Sequence, residues 1–118
     1  MDITVQRAGP NTILKVSGDA DVRGLRALEQ ALSNVSRSAT RRVILDLGDV
    51  SYIASPGIAL LVRFRDHFEK LGGRMALADL PAKVHGILQV TKLGTHFLIF
   101  RSVDQALAQF AAIERKKQ

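Results

Sequence analysis

Ser55 and Pro56 stand immediately before an apolar run, Ile58-Ala59-Leu60-Leu61-Val62, so a hydroxyl meets what the sequence marks as a helix entrance. A serine there can cap the helix by accepting a bond from a backbone N–H. Upstream, Asp19 and Asp21 lie in Ser17-Gly18-Asp19-Ala20-Asp21, where Asp21 can cap a following helix. The groups that catalysis needs are missing. His67, His85 and His96 fall on separate expected elements, with no i,i+4 pair and no neighbouring carboxylate ligand. The chain has no cysteine, which removes disulfides, thiolate nucleophiles and cysteine zinc sites together. It has neither a phosphate-binding glycine loop nor a dinucleotide fingerprint, and no serine sits in a Gly-x-Ser-x-Gly elbow. Asp46 and Asp49 flank one strand without the gathered acids and lysine of a phosphoacceptor pocket. No metal and no cofactor is expected, and the chain reads as a non-enzyme.

Composition narrows the partners. A length of 118 residues with 47% apolar side chains suits one domain with its own core. Seventeen basic against eleven acidic residues leave a charge of +6, but the excess is scattered. It clusters only at Arg41-Arg42 and at Arg115-Lys116-Lys117, within a stretch, 112–118, expected to be a frayed basic tail. One Tyr and five Phe fall mainly where a core wants them rather than as stacking platforms, so no nucleic-acid partner is expected. The longest uncharged apolar stretch, Ile58 to Val62, is far short of the ~20 residues that span a bilayer. Direct membrane insertion is not expected, and an N-terminus without a basic region and long apolar run points to the cytoplasm. The sequence carries no mark of its oligomeric state.

The elements that would position these residues follow from periodicity. Ile3–Arg7 and Thr12–Val16 alternate around Gly9-Pro10-Asn11, so the chain opens with an antiparallel hairpin. Leu25, Leu28, Leu32 and Val35 make one stripe on a first helix, with Gly24 a weak point. Val43-Ile44-Leu45 is a short apolar run of strand formers, expected to be covered on both faces. Ser55-Pro56 opens a second helix, with Ser55 in the capping place, an inner stripe of Gly57, Leu61, Phe64, Phe68 and Leu71, and Gly72-Gly73 as its stop. Met75–Ala78 is the next strand. Pro81 leads a helix with Val84, Ile87, Leu88 and Thr91 on one face. Phe97–Phe100 is the last strand, and Ser102 with Gln105 forms a capping box for a final helix buried through Val103, Ala106, Leu107 and Phe110. The order predicts an α/β domain with a mixed, mainly parallel sheet and about four helices. Tyr52 and Ile53 read as packing residues. Arg63 and Arg65 lie off the inner stripe, where an acidic partner or plain solvent serves equally well.

Val43 to Leu61 resembles the signature of STAS domains. Asp46-Leu47 after an apolar strand, then Val50, Tyr52-Ile53, Ser55, Gly57 and Leu61 match that family's spacing from strand through loop into helix. Val16 to Asp21 resembles its early Gly-acidic-apolar-Asp loop, Gly73 to Leu77 its post-helix strand, and Phe97 to Leu107 its closing strand and helix. The resemblance therefore spans nearly the whole chain, 1–118, and implies a STAS-like single domain. Its bacterial anti-sigma factor antagonists dock an exposed loop entering the second helix on a serine-kinase anti-sigma factor, which phosphorylates a serine there and breaks the complex. That implies an anti-sigma factor or related serine kinase of ATPase fold as partner, and Asp19, Asp21, Ala54, Ser55, Pro56 and Gly57 as contact residues. The antagonists' pattern reads Asp-Ser-Ser/Thr-Gly; here it is Ala54-Ser55-Pro56-Gly57. Pro56 stands where the phosphorylated hydroxyl would be, so the expected docking surface has lost its covalent switch, with Ser55 the one alternative acceptor. Other STAS proteins are accessory subunits of lipid-transporting ABC systems, and Gly57-Ile58-Ala59-Leu60-Leu61 with the basic helix after it resembles those as well.

Overall fold

Five strands and four helices alternate after an opening hairpin, in a computed structural model that describes residues 1–38, 42–92, 95 and 97–116. In chain order these are β1 (Asp2–Ala8), β2 (Asn11–Ala20), α1 (Val22–Arg37), β3 (Arg42–Ile53), α2 (Ser55–Lys70), β4 (Arg74–Ala78), α3 (Ala82–Thr91), β5 (Leu98–Phe100) and α4 (Val103–Lys116). The strands lie side by side in sequence order, with β1 antiparallel to β2 and every later pair parallel. The hairpin closes on Gly9-Pro10 between the paired Ala8 and Asn11; Gly9 has φ +62°, the backbone that a tight hairpin needs and a side chain disfavours. The mixed, mainly parallel sheet and the helix count expected from the sequence are both found.

Alternation along β3 and β4 sorts the core into two layers. Val43, Leu45 and Leu47 with Met75 and Leu77 face one way and meet Leu28 and Leu32 of α1, Leu61, Phe64 and Phe68 of α2, and Val84 and Leu88 of α3. Ile44, Ala76 and Ala78 face the other way with Ile13 and meet Ala106 and Phe110 of α4. The two alanines leave room for the Phe110 ring, which is fully buried and edge-on to Phe100 at 6.3 Å. Arg42, only 9% exposed, donates to the Phe110 carbonyl at 3.0 Å and holds its guanidinium 5.7 Å from the ring centroid, so the start of β3 is tied to α4. Val43, Ile44 and Leu45 are each fully buried, as a strand covered on both faces requires.

The helix ends follow local chemistry with two corrections. Asp21 caps α1, accepting from the Gly24 N–H at 2.9 Å. Gly24 is no weak point, because a Cβ there would overlap the Asp19 carbonyl oxygen and lie 3.1 Å from the Met1 Cβ. Leu71 does not belong to the inner stripe of α2. It is the C-cap and 39% exposed, because the chain turns there: Gly72 has φ +81°, its N–H reaches the Glu69 carbonyl, and the Gly73 N–H reaches the Phe68 carbonyl. At α4, Ser102 Oγ accepts from the Gln105 N–H, while Gln105 Oε1 accepts from the Arg101 N–H, one residue earlier than in a standard capping box. Because Phe110 is fully buried in the layer that α4 forms on one sheet face, Phe110→Ala should lower the unfolding free energy by about 3–5 kcal/mol, measured by urea denaturation against wild type.

Candidate functional site

Parallel pairing carries β2 and β3 beyond the core, and this extension builds the site. After register shifts between Lys15 and Ser17 and between Gly18 and Asp19, Asp19 lies opposite Tyr52 and Ala20 opposite Ile53. The next residue on each strand begins a helix: Asp21 caps α1 and Ala54 caps α2. Two helix entrances are thereby set side by side at one end of the sheet. Sequence reasoning stopped the third strand at Leu45, since Asp46, Gly48 and Asp49 are poor strand formers. Tertiary contacts override that preference. Asp46 Oδ1 accepts from the Gly48 N–H at 3.1 Å, and the absence of a Cβ at Gly48 leaves room for the Asp79 carboxylate beside it.

Each residue expected at the site can now be placed. Asp19 is exposed and accepts from the Ser51 hydroxyl at 2.5 Å, a cross-strand tie that fixes its carboxylate. Asp21 is exposed and engaged as a cap. Ser55 is not the N-cap. Ala54 holds that position in extended backbone with no side-chain cap, and Ser55 is the first helical residue, exposed, with its hydroxyl bonded to no described residue. Pro56 follows, exposed, and lines a cleft of about 390 Å³ with Ala59 and Leu60 of α2 and Leu25 and Arg26 of α1. The Gly57 and Ile58 N–H groups turn back to the Ala54 carbonyl at 2.8 and 3.3 Å. The α2 entrance thus presents no capping carboxylate, and proline removes one of its N–H donors. Gly57 is buried, as expected for the inner stripe.

Arg63 pairs with Glu29 across the two helices at 2.7 Å, and Arg65 pairs with Asp66 and Glu69 on its own helix, which makes a solvated, internally balanced face of them. His67 packs edge-on between Phe64 and Phe68, and His85 is exposed on α3. His96 lies outside the described residues. Among the described residues no group of three or more histidines or carboxylates is placed to hold a metal ion. No described helix is long and apolar enough to cross a membrane. Tyr52 corrects the packing expectation: Ile53 is buried, but Tyr52 is 53% exposed and walls a groove against α3. Sequence reasoning missed it because the strand extension that alternates Tyr52 out and Ile53 in was itself unread.

A family model described as Mlab, STAS domain, matches residues 3–110. The chain belongs to the STAS domain family. BtrV of Bordetella bronchiseptica, provisionally named an anti-sigma factor antagonist, is 24% identical over 110 residues, 93% of this chain and 95% of that protein. An anti-sigma factor antagonist from Mycobacterium paratuberculosis is similar in structure, with TM-score 0.83 at 23% identity over 92% of each chain. The Bacillus cell fate determinant SpoIIAA in its phosphorylated form gives TM-score 0.74 at 15% identity, over 92% of this chain and 99% of that one. The STAS fold expected from the residue spacing is therefore the fold observed.

In this STAS domain Gly57 is where the loop and the core meet. A Cβ there would sit 2.6 Å from Ile53 Cγ1 and 3.0 Å from Leu25 Cδ2, so even alanine must displace the side chains that hold the two helix entrances together. Gly57→Ala should cost about 1 kcal/mol despite its better helix propensity, and Gly57→Arg more than about 3 kcal/mol. Urea unfolding of both variants checks this; wild-type stability in both would mean that α2 does not pack here.

Proposed function

We propose that this STAS domain is a non-catalytic partner-switching regulator of the anti-sigma factor antagonist kind, which docks on an anti-sigma factor or related serine kinase of ATPase fold. The observation that carries the reading is the paired helix entrance: Ala20 opposite Ile53 presents Asp19, Asp21, Ala54, Ser55 and Pro56 on one exposed end of the domain. The similarity to proteins named anti-sigma factor antagonists supports it. A cytoplasmic location goes with such a partner.

A phosphate added at a helix entrance brings about −2 charge to a surface that must fit its partner, which is why that position makes an effective switch. Pro56 closes this route twice. It has no hydroxyl to accept phosphate and no N–H to help hold one. The domain therefore acts as a permanently unphosphorylated binder. A second reading, a STAS accessory subunit of a lipid-transporting ABC system, is favoured by the same proline, since a standing subunit needs no release switch. Neighbouring genes and co-purifying proteins separate the two: a sigma-factor regulator and phosphatase in one case, transporter components in the other.

Incubation with the cognate kinase and ATP, followed by intact mass and site mapping, should leave wild type unmodified. Ala54→Asp with Pro56→Ser should gain one phosphate, at a stability cost of up to about 1 kcal/mol from the freer unfolded chain. Stoichiometric phosphate on wild-type Ser55 would overturn the reading of Pro56. Calorimetry should find no saturable ATP binding to the purified domain, as expected of a chain without a phosphate loop or metal cluster.

A further inference from the structure

We propose that the groove between the end of β3 and helix α3 is a second part of the docking face, built to seat an apolar side chain carried on an acidic segment of the partner. The inference rests on the docking reading above and specifies the chemistry of the partner's contact segment. The groove, of about 590 Å³, has Tyr52 and Ile53 on one side and Lys83, Ile87 and Val90 of α3 on the other. Ile53 is followed directly by Ala54, so the groove begins where the docking loop begins.

The pattern of exposure on α3 gives the groove its character. The helix buries Val84 and Leu88 in the core and packs a half-buried Ile87 against it, yet Val90 is 84% exposed. A helix with a single buried stripe would carry a polar residue at that last place. Gly86 lies in the groove wall, and a Cβ there would meet nothing within 4 Å. Neither packing nor a positive φ requires glycine, and glycine inside a helix weakens it, so what its bareness supplies is depth. Charge then selects the occupant. Lys83 stands on the wall, Lys92 follows α3, and no carboxylate lies on α3 or lines the groove. An apolar anchor flanked by Asp or Glu is the complement, the usual arrangement of a segment laid in a groove. The groove is open along its length, which suits a side chain delivered on a protein surface better than a free acyl chain needing enclosure.

The test uses the full chain and the ATPase-fold protein that wild type binds, with affinity read by calorimetry and folding by thermal melting. Val90→Glu should weaken binding about tenfold or more with no change in melting, since Val90 is exposed. Gly86→Ala should weaken binding while raising the melting temperature, two opposite shifts that no general loss of structure can produce. Lys83→Glu should weaken binding and reverse its salt dependence. Ser55→Arg on the exposed loop reports on the docking reading independently. Binding lost in Ser55→Arg but intact in Val90→Glu, Gly86→Ala and Lys83→Glu overturns the groove while leaving the docking loop standing. Binding lost in the groove variants but intact in Ser55→Arg keeps the groove and overturns the loop. Saturable oleate binding that Gly86→Ala abolishes, with partner affinity unchanged, overturns the proposal in favour of a lipid site.

Discussion

The parallel ladder between β2 and β3 is the constraint on which everything else rests. Its first half is ordinary core, with Leu14 beside Leu45 and both fully buried. Its second half leaves the core, passes two irregularities in register, and ends with Ala20 beside Ile53. Those two residues are buried, and each is the last strand residue before a helix cap. The position of the two helix entrances is thus fixed by backbone pairing rather than by loop sequence. Gly24 and Gly57 allow the helices to approach that closely, each at a point where a side chain would strike the strand or loop that precedes its own helix.

A site built in this way separates stability from recognition. The residues that hold the entrances together, Ala20, Gly24, Ile53 and Gly57, are buried. Those offered to solvent, Asp19, Asp21, Ser55 and Pro56, carry little of the core's packing. Asp21 apart, which caps α1, the exposed set can change while the fold stays, because a surface change is usually worth less than about 0.5 kcal/mol. On the proposed docking reading, Ala54 and Pro56 are a change of that kind, one that alters what the surface offers a partner without touching what holds it up.

How much was legible in the sequence depended on whether local preference and tertiary contact agree. At Val43-Ile44-Leu45, at the Asp21 cap and at Gly72-Gly73 they agree, and the expectation stands. At Ser55 the pattern of a capping residue was present, but the helix begins one residue earlier than the serine's type suggested, with Ala54 in extended backbone and Pro56 free to sit in the first turn. At Leu71 helical spacing ran one step past the turn that ends the helix. At Asp46 to Tyr52 local preference opposes strand, and pairing with β2 overrides it. That last case hid the outward side of Tyr52, and with it the groove. The identity of Gly86 was visible throughout, but the open space above it was not.

The one-sided role of α4 bears on how the native state opens. Ile13, Ile44, Ala76 and Ala78 pack with Ala106 and Phe110 of this helix, and the Arg42 guanidinium of β3 donates to the helix's Phe110 carbonyl. Undocking α4 would bare the apolar sheet centre and break the Arg42 bond to the Phe110 carbonyl, so that excursion is costly. Amide hydrogens of α4 are therefore expected to exchange slowly with those of β3, although the helix lies at the periphery of the molecule. In energetic terms the domain has no detachable lid: its outermost helix is part of its innermost cooperative unit.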